Sequence, residues 1–332
     1  MTTTAVPGPT ARLSYRPQQK YIPVLATGSL LVLMFVLGSI RYENFGSGQV
    51  VLDIFINQAF LLVVAVGMTF VILTGGIDLS VGSVVALSGV LSAVLVEKHH
   101  WNPILVTVVV LFIGVVLGAA MGAMIHYFDV QPFIATLAGM FLARGLCYVV
   151  SIDSISFTNS FYTDWAQRRI SLPGDLSVNP SVLIALVVVA VAAYVLHQTR
   201  FGRTVYAVGG NQQSAILMGL SVGRVRVGVY AISGFCSALG GVLMSFYTLS
   251  GYSLNGLGLE LDAIAAVVIG GTILTGGSGY IIGTVLGVMV LGLIQSLISF
   301  DGTLSSWWTK IFVGTVLFIF ILLQRLISIR KT

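Results

Sequence analysis

The sequence predicts an all-α protein that crosses a membrane many times, and three observations lead to that prediction. Hydrophobic side chains make up 57% of the 332 residues and charged side chains only 8%. The mean hydropathy is +1.01. Several uncharged runs approach or exceed the roughly 20 residues that a helix needs to cross the hydrocarbon core of a bilayer. We therefore expect one integral membrane unit, without a soluble domain large enough to fold alone.

About ten apolar segments are predicted to cross the membrane, with eight as the alternative count. Two of them, Leu79–Val96 and Glu260–Leu274, are short and decide between the two counts. A secretory signal peptide is the rival for the first segment, but that segment is long for a signal peptide and no clear cleavage site follows it. The other eight segments are Tyr21–Ile40, Ile54–Thr74, Ile104–His126, Phe133–Val150, Ser181–Leu196, Val227–Leu249, Tyr280–Phe300 and Ile311–Leu323.

The distribution of charge predicts that both termini face the cytoplasm. With ten spans, the side of the termini collects more basic residues than the opposite side, as the positive-inside rule requires. We expect residues 1–20 to form a disordered cytoplasmic tail, 21–325 a single transmembrane domain with 151–180 as its periplasmic loop, and 326–332 a second cytoplasmic tail. The basic residues are Arg12, Arg16, Lys20, Arg200, Arg203, Arg224, Arg226, Arg325, Arg330 and Lys331 inside, and Arg41, Lys98, Arg168, Arg169 and Lys310 outside.

The polar stretch Thr199–Gly223 cannot lie in lipid and contains a predicted short helix. Asn211 is a favourable N-cap, and Gln212–Met218 lacks glycine and proline. Gly219 offers a left-handed stop after it. We expect the chain to break just before this helix, at Gly209-Gly210-Asn211.

Two interpretations of this stretch remain open from the residues alone. It is either a basic connector whose arginines only set the topology, or an element that docks on a partner. The second interpretation rests on three consecutive apolar residues that need an apolar groove if they are not to stay in water, namely Ile216, Leu217 and Met218.

The sequence ILTGG occurs twice, at Ile72–Gly76 and Ile273–Gly277, and each copy precedes a glycine-rich apolar segment. Transporters are often built from repeated halves whose binding sites lie where paired helices are broken. Chance is the alternative, because five residues of common types can match without a shared origin. A repeat predicts flexible backbone near a transport pathway at both places.

Four ionisable residues fall at or near membrane depth, where such groups are costly and usually functional. Arg144 lies well inside its span, so we expect it to pair with a carboxylate or with backbone carbonyls. Asp78, Glu260 and Asp262 have two interpretations, as pathway residues or as residues that flank helix starts. Three uncharged polar residues accompany them, namely Asn57, Gln58 and Gln295.

The motifs of most enzyme classes are absent from the sequence. No lysine follows a glycine as a phosphate-binding loop requires, and neither Gly-x-Ser-x-Gly nor His-Glu-x-x-His occurs. Cys147 and Cys236 fall in apolar segments without the spacing of metal ligands, so we expect free thiols and no metal site. The basic residues do not alternate with aromatic ones as in a nucleic-acid surface. A pathway through the membrane, without catalysis by this chain, is the function that remains.

Three long motifs stand in the order Gly67–Gly82 (GMTFVILTGGIDLSVG), Thr199–Gly219 (TRFGRTVYAVGGNQQSAILMG) and Glu260–Gly271 (ELDAIAAVVIGG, followed by GGSGYIIGTVLG). Together they resemble the permease subunits of bacterial sugar-importing ABC transporters of the ribose, xylose and galactoside type. The resemblance covers about residues 50–325. Asp301–Ile311, DGTLSSWWTKI, is most similar to the permeases of galactofuranose importers.

The resemblance implies that the chain is one subunit of a transporter in the bacterial inner membrane. It implies three protein partners: a second permease, identical or related, a cytoplasmic ABC ATPase with two cassettes, and a periplasmic sugar-binding protein. The chain itself is expected to bind no cofactor, while the ATPase uses ATP-Mg. Alternating access is the implied mechanism, in which closure of the cassettes opens the bundle outward to receive a monosaccharide and hydrolysis resets it.

The predicted functional residues form two sets. The resemblance implies an ATPase-coupling loop over 199–226, at Arg200, Gly202, Arg203, Gly209, Gly210, Asn211, Ala215 and Gly219. We place the translocation pathway at Gly75, Gly76, Asp78, Ser80, Arg144, Glu260, Asp262, Gly276 and Gly277. The alternative function is a secondary transporter that moves a small polar solute alone on an ion gradient. It predicts uptake by this chain without ATP, whereas a scaffold or membrane enzyme predicts no uptake.

Overall fold

A computed structural model describes residues 18–174, 176–305 and 307–329, with side chains described for 21–322 of these ranges. The described part contains thirteen α-helices. They are α1 (Gln18–Arg41), α2 (Gly48–Leu73), α3 (Val81–Ala93), α4 (Pro103–Tyr127), α5 (Pro132–Val150), α6 (Ser160–Gln167), α7 (Pro180–Gln198), α8 (Arg200–Gly210), α9 (Gln212–Leu217), α10 (Val222–Thr248), α11 (Leu259–Ile269), α12 (Ile281–Asp301) and α13 (Trp307–Ile329). The predictions for residues 1–17 and 330–332 lie outside the described residues.

Eight of the described helices are long and apolar enough to cross a bilayer. They are α1, α2, α3 with its π-helical extension Val94–Lys98, α4, α5, α7, α10 and α12. The predicted all-α, polytopic fold is confirmed. The other two predicted spans differ from these eight, because α11 has only 11 residues and the described apolar part of α13 is Trp307–Leu322.

Several helix boundaries differ from the sequence prediction. Helix α1 begins at Gln18, within the predicted tail, and α13 continues to Ile329. Helix α10 begins at Val222 rather than Val227. The added residues, 222–226, include two arginines but no proline, so they can continue the helix beyond the apolar segment. Two starts follow a local rule: Asn102 and Asn179 each precede a proline, and their side chains accept hydrogen bonds from the first helical turn.

Helix α2 lies at the centre of the bundle. In its most apolar 18-residue stretch 83% of the residues are buried, against 11% in the corresponding stretch of α1. It packs against α7, α10, α11 and α12. A helical stretch that is apolar all round is expected either in lipid or in a protein core, and residues 61–73, apolar except for Thr69, are the second case.

Glycines allow α4 and α10 to cross with their backbones in contact. A Cβ atom added to Gly114 of α4 would lie 2.5 Å from the carbonyl oxygen of Gly234 of α10. One turn further on, Gly118 lies against the backbone of Tyr230. This contact fits the expectation that small residues bring membrane helices close together.

The segment predicted as a periplasmic loop, 151–180, is folded. Strand β1 (Ile155–Ser156) pairs with β4 (Ser250–Gly251), and β2 (Ile170–Leu172) pairs with β3 (Leu176–Val178), both antiparallel. Helix α6 lies between the first two strands of the segment. Its Tyr162 stacks on Phe157 with ring centroids 3.9 Å apart. This small cap sits at the end of the bundle where α5 ends and α7 begins.

Candidate functional site

The predicted short helix is present at the other end of the bundle, as α9. The Asn211 side chain accepts a hydrogen bond from the backbone N–H of Ser214 at 2.8 Å. After the helix, Gly219 has a φ of +73°. The cap and the stop are both where the sequence predicted them. The polar stretch differs from the prediction before Asn211, because Arg200–Gly210 forms helix α8 rather than a loop that breaks at Gly209-Gly210.

Helix α9 turns three apolar side chains toward solvent. Ile216, Leu217 and Met218 are 53%, 88% and 66% exposed, and we call them the apolar ridge. Ala215 is fully buried beneath them and packs into the core, so this predicted coupling residue supports the helix from below. Arg200 and Arg203 are exposed on the neighbouring α8.

Side chains from three elements fix α8 and α9 to the bundle. The Thr199 hydroxyl caps α8 by accepting from the N–H of Gly202 at 3.2 Å, and Gly202 lies against the carbonyl of Leu196 at the end of α7. Tyr206 donates to the backbone oxygen of Gly279 at 2.7 Å. Burial raises the pKa of the Tyr206 phenol, which keeps it protonated as a donor. Arg226 of α10 donates to the side chain of Gln212.

The C-terminal end of α8 lies against both copies of ILTGG, and the three segments are in direct backbone contact. The N–H of Gly277 donates to the carbonyl oxygen of Leu73 at 2.9 Å. A Cβ atom on Gly276 would lie 2.8 Å from the nitrogen of Gly75, and one on Gly277 would lie 2.8 Å from the Cα of Gly210. We call this contact the glycine junction, and its members are Gly75, Gly209, Gly210, Gly276 and Gly277.

The two ILTGG copies share the conformation of their first glycine and differ elsewhere. Gly277 has a positive φ and Gly76 does not, and the first copy begins within α2 whereas the second begins after the end of α11. The first glycine of each has a positive φ, +78° at Gly75 and +89° at Gly276. Glycine adopts this region without the steric cost that a side chain brings. Each copy connects two apolar helices, α2 to α3 and α11 to α12. The repeated sequence therefore corresponds to a repeated connection in the structure.

Asp78 and Ser80 lie in the core next to this junction. The Asp78 carboxylate is fully buried and accepts from the Ser80 N–H at 3.0 Å and the Ser80 hydroxyl at 2.6 Å. It also accepts from the Ser233 hydroxyl of α10 at 2.7 Å. The Tyr230 hydroxyl lies so close to Gly76 that a Cβ atom there would be 2.6 Å away. The geometry shows Asp78 joining the α2–α3 connection to α10, and its place in a pathway stays a prediction.

The other predicted pathway residues with charged side chains have different partners, and Glu260 lies against Gly82 near the start of α3. Arg144 donates to the backbone oxygens of Ser253 and Asn255, so carbonyls hold the guanidinium, one of the two expected arrangements. Asp262 forms an ion pair with Lys310 of α13 at 2.8 Å. Glu260 and Asp262 both occupy the first turn of α11, where an acid favours the helix start.

A polar cavity between α2, α10, α11 and α12 contains residues that the sequence analysis only partly identified. It has a volume of about 450 Å³. The side chains of Gln58 and Gln295 meet there in a hydrogen bond of 2.6 Å. The sequence carries a signal for this cavity, because polar residues recur at the helical spacing of three or four residues on both helices. They are Asp53 and Asn57 on α2, and Gln295, Ser296 and Ser299 on α12.

Comparison with known proteins gives the family of the chain. The family described as "Branched-chain amino acid transport system / permease component" matches residues 50–321. The chain belongs to this permease family. The match includes both ILTGG copies, α8, α9 and the polar cavity, so the family relationship covers every element of the site. No solved structure matches the chain.

Curated relatives match the chain over almost its whole length. The inner membrane ABC transporter permease protein YjfF of Escherichia coli K12 is 46% identical over 92% of this chain and 93% of its own. The fructose import permease protein FruG of Bifidobacterium longum is 40% identical, with 98% and 96% covered. The ribose import permease protein RbsC of Haemophilus influenzae is 38% identical, with 91% and 93% covered.

These findings confirm the resemblance on which the sequence analysis relied. The chain is the membrane subunit of an ABC importer, located in the inner membrane, and it is a transport subunit rather than an enzyme in its own right. An importer of this class also contains an ATPase and a substrate-binding protein.

Proposed function

We propose that this chain carries a monosaccharide across the inner membrane, driven through α8 and α9 by a separate ATPase with two cassettes. The observation behind this proposal is the apolar ridge, which is exposed at the tip of a capped helix on the side predicted to be cytoplasmic. A groove on the ATPase would cover these side chains, and ATP-Mg would be bound and hydrolysed on the ATPase alone.

The glycine junction supports a path for the movement. Because backbones touch there without intervening side chains, a displacement of α8 has no flexible side chain to absorb it. It would pass to the α2–α3 connection and to the α11–α12 connection together. Movement of those two connections is how we expect the bundle to alternate between its outward and inward openings.

The proposed complex contains a second permease, identical or related, and a periplasmic protein that delivers the sugar. The relatives named for fructose and ribose import support a monosaccharide as the cargo. The segment Asp301–Ile311 favours galactofuranose within that class, through its resemblance to permeases of that subgroup.

Co-purification tests the coupling proposal directly. We would compare Leu217→Asp with Ile152→Asp in detergent extracts of membranes that contain the whole importer. Both side chains are exposed, at 88% and 71%, and Ile152 belongs to the cap formed by 151–180 at the other end of the bundle. We expect the ATPase to be lost only from the Leu217 variant, because a charge on the apolar ridge would have to be buried in the groove. Retention of the ATPase by both variants would contradict the proposal.

Uptake by liposomes distinguishes the proposed importer from the alternative, a secondary transporter. If the chain is an importer subunit, the purified chain alone should take up no sugar on a proton or sodium gradient. Uptake should require the ATPase, the binding protein and ATP. Gradient-driven uptake by the chain alone would favour the secondary transporter.

A further inference from the structure

The polar cavity between α2 and α12 has no part in the coupling proposal. Its volume of about 450 Å³ lies within the range of about 300–1,000 Å³ that is typical of small-molecule sites. Two aromatic side chains form one wall, Phe60 and Tyr247, with ring centroids 6.1 Å apart. Amide and hydroxyl groups from α2 and α12 form the facing surfaces.

The depth of these polar groups argues against their facing lipid. Asn57 lies nine residues after Gly48, the start of α2, which places it about 13 Å along the helix. Gln295 lies six residues before Asp301, the end of α12. Both side chains are exposed in the isolated chain. Polar side chains at such depth are costly in hydrocarbon and usually face a bundle interior or a water-filled cavity.

The two glutamines hold each other in place and still have capacity for a ligand. The Nε2 of Gln58 donates to the Oε1 of Gln295 at 2.6 Å. Gln58 is only 4% exposed, and Gly292 of α12 makes room for it, since a Cβ atom there would lie 2.9 Å from the Gln58 Cγ. This bond leaves the carbonyl oxygen of Gln58 and the amide nitrogen of Gln295 without a hydrogen-bond partner among the described residues.

The free hydrogen-bonding groups of the two glutamines are neutral. Two carboxylates also line the cavity: Lys310 neutralises Asp262 at 2.8 Å, whereas Asp53 accepts only from the neutral side chain of Gln49 at 2.8 Å, which does not compensate its charge. Neutral donors and acceptors beside an aromatic wall match a molecule with many hydroxyl groups and an apolar C–H face. They do not match an inorganic cation, which needs several oxygen ligands around one point.

We propose that the cavity is a low-affinity subsite for a neutral monosaccharide, in which Gln58 accepts from one sugar hydroxyl and Gln295 donates to another. The proposal rests on the proposed function, because it assumes that the cargo is a sugar. Low affinity is expected, since a pathway that bound its cargo tightly would not release it. The Gln58–Gln295 bond positions the two amides before the sugar arrives.

Thiol labelling tests whether the cavity is wet and holds sugar. Ser296→Cys changes one atom on the cavity wall, five residues from the end of α12 at Asp301. Val108→Cys is the matched control, because it is 59% exposed and lies five residues from the start of α4 at Pro103. The native Cys147 and Cys236 are buried, so background labelling is low.

We expect a membrane-impermeant, charged methanethiosulfonate to modify the Ser296→Cys variant and to leave the Val108→Cys variant unmodified. Among millimolar ribose, fructose, galactose and galactofuranose, the sugar that the importer carries should slow the modification severalfold. Equal resistance of both variants would show that the cavity faces lipid. Modification that none of the four sugars slows would show a wet cavity without a sugar site. Either result would overturn the proposal.

Uptake by the complete importer separates failure of the subsite from failure of the proposed function. In the double variant Gln58→Leu and Gln295→Leu both partners become apolar, which is far less harmful to folding than leaving one amide unpaired. We expect kcat/KM for uptake to fall about tenfold, the effect of one or two lost hydrogen bonds, with ATPase association unchanged. If the natural chain carries none of the four monosaccharides, the proposed function fails. If both chains carry the sugar equally well, only the subsite fails.

Discussion

Gly209 shows how one missing side chain can govern a contact between distant parts of the chain. A Cβ atom there would overlap the carbonyl oxygen of Leu73 and lie 2.5 Å from the nitrogen of Gly277. The neighbouring Gly210 also lies in the last turn of α8, but a Cβ atom added to it would meet no other atom within 4 Å. The two adjacent glycines therefore form a natural matched pair.

We expect Gly209→Ala to reduce uptake strongly, and Gly210→Ala to leave it unchanged. Alanine is the better helix former by about 1 kcal/mol, which would stabilise α8 in both variants. Overpacking at a backbone contact costs about 1–3 kcal/mol, so the clash outweighs that gain at Gly209 only. Uptake and thermal unfolding of the purified variants check this. Equal behaviour of the two variants would show that the glycine junction is not tight in the membrane.

The Asp78 carboxylate stabilises the bundle through the donors that it satisfies. Asp78→Ala would leave the hydroxyls of Ser80 and Ser233 without their acceptor in the core. Each unsatisfied buried donor costs about 1–3 kcal/mol, so we expect a clear fall in the melting temperature. Ser233→Ala is the control, because it removes one donor and leaves the other bonds intact, and it should cost less. An unchanged melting temperature in Asp78→Ala would argue for a pathway role instead.

At the scale of elements, α9 depends on its cap because it is too short to be stable alone. A helix of 6 residues is far below the length at which isolated helices persist in water. Its first turn is closed by the Asn211 side chain, and its underside is held by the buried Ala215. The apolar ridge keeps a single arrangement only while the Asn211 cap and the packing of Ala215 are both intact.

We expect Asn211→Ala to weaken association with the ATPase, while Asn211→Asp retains it. Loss of an N-cap costs about 1 kcal/mol, and aspartate caps about as well as asparagine. Quantitative co-purification with the ATPase checks this, with the melting temperature of the permease as a reference that should fall by only a few degrees. A similar loss in both variants would mean that the asparagine amide itself contacts the ATPase.

The elements also show what local sequence rules predict and what they miss. Helix α9 was predictable, because its cap and its stop lie next to it in sequence. Helix α8 was missed, since Gly209 and Gly210 favour a break by intrinsic propensity, while their packing against Leu73 and Gly277 favours a helix. That packing joins residues far apart in the chain, so no local pattern reveals it.

The cavity was predictable only in part, because its polar residues follow a local pattern whereas its pairing joins residues far apart in the chain. The polar residues of α2 and α12 recur at helical spacing, which identifies a polar face on each helix. The pairing of Gln58 with Gln295 requires knowledge of which faces meet, and their separation in sequence carries no information about that. The ion pair of Asp262 with Lys310 of α13 is a second example of a contact that the sequence does not reveal, and the place of Asp262 in a pathway stays a prediction.

At the scale of the whole molecule, the topology makes a prediction that one reagent can check. Leu217 and Ile152 are exposed at opposite ends of the bundle, and the charge distribution predicts that the first is cytoplasmic. In right-side-out vesicles, we expect a membrane-impermeant thiol reagent to modify an Ile152→Cys variant and not a Leu217→Cys variant. The pattern should reverse in inside-out vesicles. The opposite pattern would invert the topology and place the apolar ridge away from any cytoplasmic ATPase.

The central position of α2 has a consequence for the biogenesis of the protein. Its neighbour α10 is complete only at Thr248, 175 residues after Leu73 (248 − 73), or about 10–35 s later at about 5–20 residues per second of synthesis. During that time α2 has to stand in lipid, which the apolar residues 61–73 permit at little cost, because acyl chains are as apolar as leucine, whereas Gln58 lacks its partner until α12 is made. A ribosome that stalled after α7 would leave an inserted but only partly assembled helix, with the surface that later faces α10 and α12 open to the bilayer and to quality control.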